Sequence, residues 1–360
     1  MRPARVVFCA LALALGCGRT GLDLGAEGPA PLADTGAPAV PVDAGPMPGA
    51  RAFQSCETPG PGIDDCGPNK ESCCTTLPVP AGKFIRSYDG VSCPGGAAAG
   101  PPPALGCYLD SSHVASVSAF RLDKYLVTVA RFNAFLASIR ATGWRPSEGE
   151  GRHAHLNGRR GLIDVGSGEP EHGWNASWND DTLALDPGDN DNRVPEMPIN
   201  GVTWAQAYAF CIWDGGFLPS EAEWNYAASG GEEQRVYPWS SPPRDTTVDC
   251  AHAAYTGMLD PDACIASTAY FVGAKSPLGD GRWGQADLAG LRGEWTLDWL
   301  ADYVDPCVDC VNLREPDGAS PSRAVRGYSH VGAASPPHLL TSLRADNSYG
   351  WNGFRCARSP

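Results

Sequence analysis

The chain has 360 residues, a formal net charge of -14 and 42% hydrophobic residues. Nucleic-acid-binding proteins are usually basic, so this balance argues against such a partner. Glycine (43 residues) and proline (33 residues) are abundant, which favours a loop-rich fold with short elements. The length suffices for one large domain with an appendix.

The first residues predict a signal sequence over residues 1–17. Two arginines precede an apolar run, residues 6–15, which has the length of a signal core and is too short to span a bilayer. The run ends before Cys17, as in lipoprotein signals whose cleavage leaves a lipidated cysteine. An ordinary cleaved secretory signal is the alternative, because Ala14 stands where leucine is usual. No later segment predicts a membrane span, so the membrane contact would be through this anchor alone.

Residues 18–55 are rich in Ala, Gly, Pro and Asp and have few large apolar side chains. Such a stretch cannot bury enough surface to offset its ordering entropy, so we predict a disordered tether. Apart from Cys9 and Cys17, the 14 cysteines leave an even number that can pair after export to an oxidising compartment.

A cysteine-rich region, residues 56–107, follows the tether. Its spacing lacks the paired Cys-x2-Cys ligands of a zinc ribbon, so we predict a small disulfide-stapled cap. Adjacent Cys73 and Cys74 cannot easily bond each other, and the pairing stays open. The six cysteines are Cys56, Cys66, Cys73, Cys74, Cys93 and Cys107.

Regular elements are predicted from residue 120 onward. Residues 120–125 alternate like a strand, and Thr128 can cap a helix that ends at Gly143. Residues 145–195 are polar and turn-rich, so we predict an inserted or variable loop region. Two capping-box patterns then predict the starts of two further helices. They are Thr203 with Gln206, and Ser220 with Glu223.

Ordered sequence blocks over residues 78–360 resemble the formylglycine-generating enzyme (sulfatase-modifying factor) family. They are FRLDKYLVTVARFNAFL (120–136), NGVTW (200–204), YAFCIW (208–213), LPSEAEW (218–224), YPW (237–239), the Trp-rich segment 284–299, RGYS (326–329) and GFRCA (353–357). The resemblance implies an α/β (α+β) fold, irregular and loop-rich, related to C-type-lectin-like folds. It also implies a disulfide between Cys211 and Cys356.

The resemblance places the family's active site after the RGYS block. Members of the family bind copper through two cysteines there, since Cu(I) prefers thiolates, and use them to oxidise a substrate cysteine. Ser329 of the motif is present, but the two cysteine positions fall at Gly332 and Pro337. We therefore predict a pseudoenzyme that generates no formylglycine.

The family's segment before Trp295 also supplies oxygen ligands to calcium. Here Leu291 replaces the ligand asparagine, while Glu294, Asp287 and Asp298 remain. Calcium needs six to eight oxygens. Two interpretations of Glu294 are therefore equally supported. It is either a possible calcium ligand or a buried or capping carboxylate.

Some relatives are iron enzymes of the ergothioneine-synthesis type, but their iron-binding histidines lie on a domain that this chain lacks. We expect the histidines here to be solvent-exposed. They are His153, His155, His172, His252, His330 and His338.

The remaining cysteines predict local bridges. Cys250 and Cys264 are expected to pair around a loop. Cys307 and Cys310 form a Cys-x2-Cys in an acidic loop, which disfavours a redox-active thiolate. We expect a local disulfide there, or pairing with other cysteines.

Three functions remain open. The first is an exported, membrane-anchored lipoprotein of the cell envelope that binds an unknown envelope protein or small ligand. The second is a metal-dependent oxidase of the formylglycine-generating or nonheme-iron type with a diverged active site. The third is a structural cell-surface protein.

Overall fold

The computed structural model describes residues 53–88, 111–179, 194–255, 264, 271–317, 321–327, 340–344 and 352–360. All of them belong to one contact unit, Gly49–Pro360. The fold is mixed α/β with short strands and long irregular stretches, as the sequence predicts. Cys17, the predicted signal sequence and most of the predicted tether lie outside the described residues. Within the described ranges, no helix has the length and apolarity needed to cross a membrane.

The strands of the described residues form small sheets. The strands are β1 (Thr76–Val79), β2 (Gly82–Ile85), β3 (Val114–Val117), β4 (Phe120–Asp123), β5 (Ile163–Asp164), β6 (Gly293–Trp299), β7 (Cys307–Val308), β8 (Cys310–Val311), β9 (Ser322–Arg326), β10 (Leu340–Arg344), β11 (Asn352–Gly353) and β12 (Ala357–Arg358). Their orders are β1-β4-β12, β10-β9-β6-β11, β2-β3-β7 and β5-β8.

Helix α1 (Val129–Thr142) begins and ends where the sequence predicts. The Thr128 hydroxyl accepts the backbone N–H of Arg131 at 3.2 Å. Gly143 ends the helix with a φ of 68°, a left-handed conformation that glycine adopts without steric cost, and its N–H donates to Ile139 O at 2.8 Å. Both predicted ends are therefore confirmed.

Helices α2 (Trp204–Trp213) and α3 (Glu221–Ala228) both begin with the predicted capping boxes. In each, the N-cap hydroxyl accepts the N–H of the third helical residue, whose side chain accepts the N–H of the N-cap. Every residue of both helices is buried. They are therefore core helices enclosed on all sides rather than amphipathic surface helices.

The main core lies where α1, α2 and the last described segment meet. The Phe210 ring lies 5.9 Å from Phe132 and 5.3 Å from Phe354, and all three side chains are fully buried. Beside this core, β12 pairs with β4, and Arg358 Nη2 donates to Asp214 Oδ2 at 2.7 Å. The late segment 352–358 is thus built into the centre of the fold.

Candidate functional site

A buried arginine, Arg326, ends β9 and is the first residue of the RGYS block that contains Ser329. Arg326 donates to the Glu221 carboxylate, and at 2.8 Å to both Ser87 Oγ and Tyr303 OH. Burial alone lowers the pKa of Arg326, but Glu221 outweighs this effect and raises it. Sequence reasoning missed this cluster, although Glu221 and Arg326 both lie in quoted family blocks.

A second buried arginine lies beside this cluster. Arg86 Nη2 donates to Asp305 Oδ1 at 2.7 Å and to Val304 O at 3.1 Å. Its guanidinium lies 4.1 Å from the centre of the Tyr303 ring, a cation–π distance. Arg86 Nη1 donates to Cys310 Sγ at 3.9 Å. The two arginines thus share Tyr303 and hold it between them.

A small cleft opens next to these groups, and Asp298 is one of the acidic residues that line it. Its two carboxylate oxygens accept the N–H of Glu221 at 2.7 Å and the N–H of Asn312 at 2.8 Å. Burial and the neighbouring Glu221 charge raise the pKa of Asp298 to about 7. The cleft has a volume of about 20 Å³, which is room for about one water molecule, and charged and hydrogen-bonding side chains line it. Its lining includes Arg86, Glu221, Asp298, Asp302, Tyr303 and Cys310.

Ser329, Gly332 and Pro337 lie outside the described residues, so the structure leaves these assignments as predictions. The sequence holds no cysteine from residue 311 to residue 355. Every cysteine of the described ranges is in a disulfide. This donor set offers no thiolate, the ligand that Cu(I) prefers, so copper of the family's kind does not fit the residues described.

The structure joins Cys211 to Cys356 with an Sγ–Sγ distance of 2.06 Å, as the resemblance implies. Cys73 and Cys74 each reach elsewhere, while Cys93 and Cys107 lie outside the described ranges. The other bridges are Cys56–Cys74, Cys66–Cys73, Cys250–Cys264 and Cys307–Cys310.

The possible calcium ligand Glu294 is fully buried and has other partners. Arg355 Nε donates to Glu294 Oε2 at 2.6 Å, and Arg355 Nη2 donates to Oε1 at 2.7 Å. Trp224 Nε1 adds a third hydrogen bond at 3.0 Å. Each oxygen thereby has a hydrogen-bond partner and the carboxylate is paired with a buried arginine, and across the described ranges no three His, Cys, Asp or Glu side chains are grouped to hold a metal ion. Calcium does not fit Glu294 in this arrangement.

The other two carboxylates considered as calcium ligands, Asp287 and Asp298, have hydrogen-bond partners of their own. Asp287 Oδ2 accepts the N–H of Gly273 at 2.6 Å, and burial raises the pKa of Asp287 to about 6. Asp298 belongs to the cleft. The three acidic residues therefore serve separate hydrogen-bond networks.

The expectation of exposed histidines is wrong for His153, which is fully buried. Its Nδ1 lies 3.0 Å from Glu171 Oε1, and its Nε2 lies 3.1 Å from Glu223 Oε2. Burial alone lowers the pKa of His153, but the two carboxylates outweigh it and raise the pKa to about 10. The side chain is an imidazolium at neutral pH, which suits an ion triad and not metal binding.

The other histidines differ among themselves. His155 is half-buried and stacks on Phe217 with ring centres 5.6 Å apart, and burial lowers its pKa. His172 is exposed and His252 is partly exposed. His330 and His338 lie outside the described ranges. Residues 145–179 are largely exposed, but His153 and Trp174 are fully buried and join this stretch to the rest of the domain.

Comparisons with known proteins identify the family of this chain. Residues 64–360 match the family described as "Sulfatase-modifying factor enzyme 1-like domain". The chain is 29% identical to a formylglycine-generating enzyme of Thermomonospora curvata, over 68% of this chain and 83% of that protein. It is 30% identical to "Inactive C-alpha-formylglycine-generating enzyme 2" of Bos taurus, over 43% of this chain and 56% of that protein. The solved structure of PvdO from Pseudomonas aeruginosa is similar with a TM-score of 0.45 and 18% identity, over 84% of this chain and 100% of that chain.

Proposed function

The chain belongs to the family of sulfatase-modifying factor enzyme 1-like domains, and on that premise we propose that it binds an envelope protein or small ligand and generates no formylglycine. One observation carries this proposal: the sequence has no cysteine between Cys310 and Cys356, where the family's copper-binding pair falls. The relative named as inactive provides a precedent for a family member without the activity.

The buried network around Arg326 supports a binding role. Arg326, Glu221 and Tyr303 are joined by charge-assisted hydrogen bonds, which are stronger than neutral ones. They fix the end of β9, from which the segment of Ser329 departs. The pseudoenzyme thus keeps a buried, preorganised frame up to Arg326, and the partner would dock on the exposed rim of the cleft at Asp302.

The setting of this function is the cell envelope. The disulfides of the described residues agree with an oxidising, exported environment. We assign the anchor to Cys17 and the spacer to the tether, so that the domain stands away from the membrane while attached to it.

The catalytic part is tested with the purified chain loaded with Cu(I) and a C-x-P-x-R peptide. We expect no aldehyde by mass spectrometry, because the copper ligands are missing. The Gly332→Cys/Pro337→Cys double variant should gain one tight Cu(I) site in a competition assay with a chelator, and the matched Gly332→Ser/Pro337→Ser variant should not. Aldehyde formation by the unaltered chain would overturn the proposal.

The binding part is tested by crosslinking and capture from envelope extract. Asp302 is exposed and lines the cleft, so Asp302→Arg reverses a charge where the partner is expected. This variant should lose the captured partner, while Asp317→Arg, at an exposed position outside the cleft lining, should retain it. If neither the unaltered chain nor the control captures a partner, the structural cell-surface alternative is favoured. A stoichiometric metal in the isolated chain would favour the oxidase alternative instead.

A further inference from the structure

A cavity of about 410 Å³ lies against the cysteine-rich region and shares no lining residue with the cleft beside Arg326. Its walls come from the turn between Asp65 and Lys70, from Glu196, and from the segment that begins at Phe271. Pockets that bind small molecules have volumes of roughly 300–1,000 Å³. This cavity therefore has the size of a ligand site, which the cleft does not have.

Backbone hydrogen bonds hold the three walls of the cavity together. Val272 lies between the other two walls, since its carbonyl accepts Gly67 N at 3.3 Å and its N–H donates to Glu196 O at 3.3 Å. The turn itself is closed by Cys66 and Glu71, which exchange two backbone hydrogen bonds of 3.0 Å. The disulfide of Cys66 fixes the same turn. A ligand therefore meets walls that are already in place and loses little affinity to ordering them.

The lining of the cavity combines apolar and acidic groups. Phe271 and Pro68 provide apolar surface, and both are at least partly exposed. Asp65 and Glu196 provide two carboxylates, and both residues are partly exposed. Lys70 is the single basic residue among those that line the cavity, and it is exposed. The lining thus carries more negative than positive charge beside an aromatic ring.

This combination selects among the classes of small ligand. An ammonium group forms charge-assisted hydrogen bonds with carboxylates and is attracted to the face of an aromatic ring. An anion is disfavoured by the lining and by the net charge of -14. A metal ion would leave the apolar wall unused, and no group of three His, Cys, Asp or Glu side chains suited to a metal occurs in the part of the chain that the structure describes.

We propose that this cavity binds a small organic amine in its protonated form. The ammonium group pairs with Asp65 and Glu196, and the apolar body packs against Phe271 and Pro68. Lys70 opposes the bound charge and limits the affinity. This inference does not rest on the proposed function, which concerns the rim of the cleft at Asp302.

The test uses three probes that share an apolar body and differ in the head group: phenethylamine, phenethyl alcohol and phenylpropionate. Isothermal titration calorimetry with the full chain at pH 7 measures the dissociation constant of each. The amine should bind about tenfold more tightly than the alcohol, because one unit charge near a carboxylate at a partly exposed site contributes that much. Phenylpropionate should bind most weakly. Added salt should weaken binding of the amine and leave that of the alcohol unchanged.

Two variants change the charge of the lining in opposite directions. Glu196→Gln should weaken amine binding about tenfold, whereas Lys70→Glu should strengthen it several-fold. Neither should change the affinity for the alcohol. Glu169→Gln and Lys83→Glu make the same substitutions at exposed positions outside the lining and should bind the amine like the unaltered chain. A gain of affinity in Lys70→Glu cannot result from loss of folding.

The proposal is overturned if none of the probes binds at millimolar concentration, if the three bind alike, or if Glu196→Gln and Lys70→Glu leave the amine affinity unchanged. Asp302→Arg, the variant that tests the proposed function, should bind the amine normally. Loss of partner capture and loss of amine binding are therefore separate outcomes.

Discussion

His153 Nε2 lies 3.1 Å from Glu223 Oε2, the same oxygen that accepts the backbone N–H of Ser220 at 2.8 Å. One carboxylate therefore caps α3 and binds an imidazolium from the distant segment 145–179. Glu171 holds the other side of the ring. An ion pair therefore connects the capping box of the LPSEAEW block to residues 145–179, which belong to the predicted inserted or variable loop region.

The first prediction is that His153→Asn lowers the free energy of unfolding by about 3–5 kcal/mol at pH 6, because two buried carboxylates lose their shared cation. The pKa of His153 is about 10 in the folded chain against an ordinary 6.5. Its contribution is therefore complete below pH 6.5 and is lost as the pH rises to 10. Urea unfolding at pH 6 and pH 9.5 measures the difference between variant and unaltered chain.

His172→Asn is the matched control, since His172 is exposed, and it should change the unfolding free energy by less than about 0.5 kcal/mol. A His153→Asn effect that stays equal at the two pH values would contradict the ion triad.

The second prediction concerns Glu294. Glu294→Gln should cost about 3–5 kcal/mol of unfolding free energy, because Arg355 is fully buried and would keep an uncompensated charge. Glu169→Gln, at an exposed position, is the control. Calcium and EDTA should leave the urea midpoint of the unaltered chain the same. A midpoint that rises with calcium would instead support a metal role for this segment.

The third prediction concerns the Cys211–Cys356 bridge, which spans 145 residues. The double Cys→Ala variant should lose about 5 kcal/mol in the chain-entropy model. The bridge Cys66–Cys73 spans 7 residues, and its removal should cost about 2–3 kcal/mol in the same model. Equal losses in urea unfolding would argue against loop closure as the source of the stability.

The fourth prediction is that Cys17→Ser moves the exported chain from the membrane fraction to the soluble fraction, because the acyl chains attach to that thiol. Cys9→Ser, within the predicted signal core, should stay membrane-bound. Fractionation and labelling with a fatty-acid analogue measure the outcome. If the unaltered chain and the Cys17→Ser chain are both found in the soluble fraction, the ordinary secretory signal is favoured.

Local signals were sufficient for the helices. Thr128, Thr203 and Ser220 all cap helices as predicted, since a capping interaction involves residues three positions apart and can be seen in the sequence. The family, and with it the mixed fold, could likewise be recognised from the ordered blocks.

Long-range electrostatics could not be predicted in the same way. His153 was expected at the surface because its neighbours are polar, yet its burial depends on carboxylates 18 and 70 residues away. The Cys-x2-Cys loop was likewise interpreted from its acidic neighbours in the sequence. In the structure, the guanidinium of Arg86, 224 positions earlier in the chain, lies beside Cys310. Charge partners brought together by the fold have no spacing rule in the sequence.

The pairing of β12 with β4 also sets an order of events during export and folding. The third strand of that sheet is added only when residues 357–358 arrive, and Cys211 cannot form its native bridge before Cys356 reaches the oxidising compartment. During that interval the other exported cysteines can compete for Cys211. Maturation of the chain should therefore depend on an isomerase that reshuffles early, incorrect bridges.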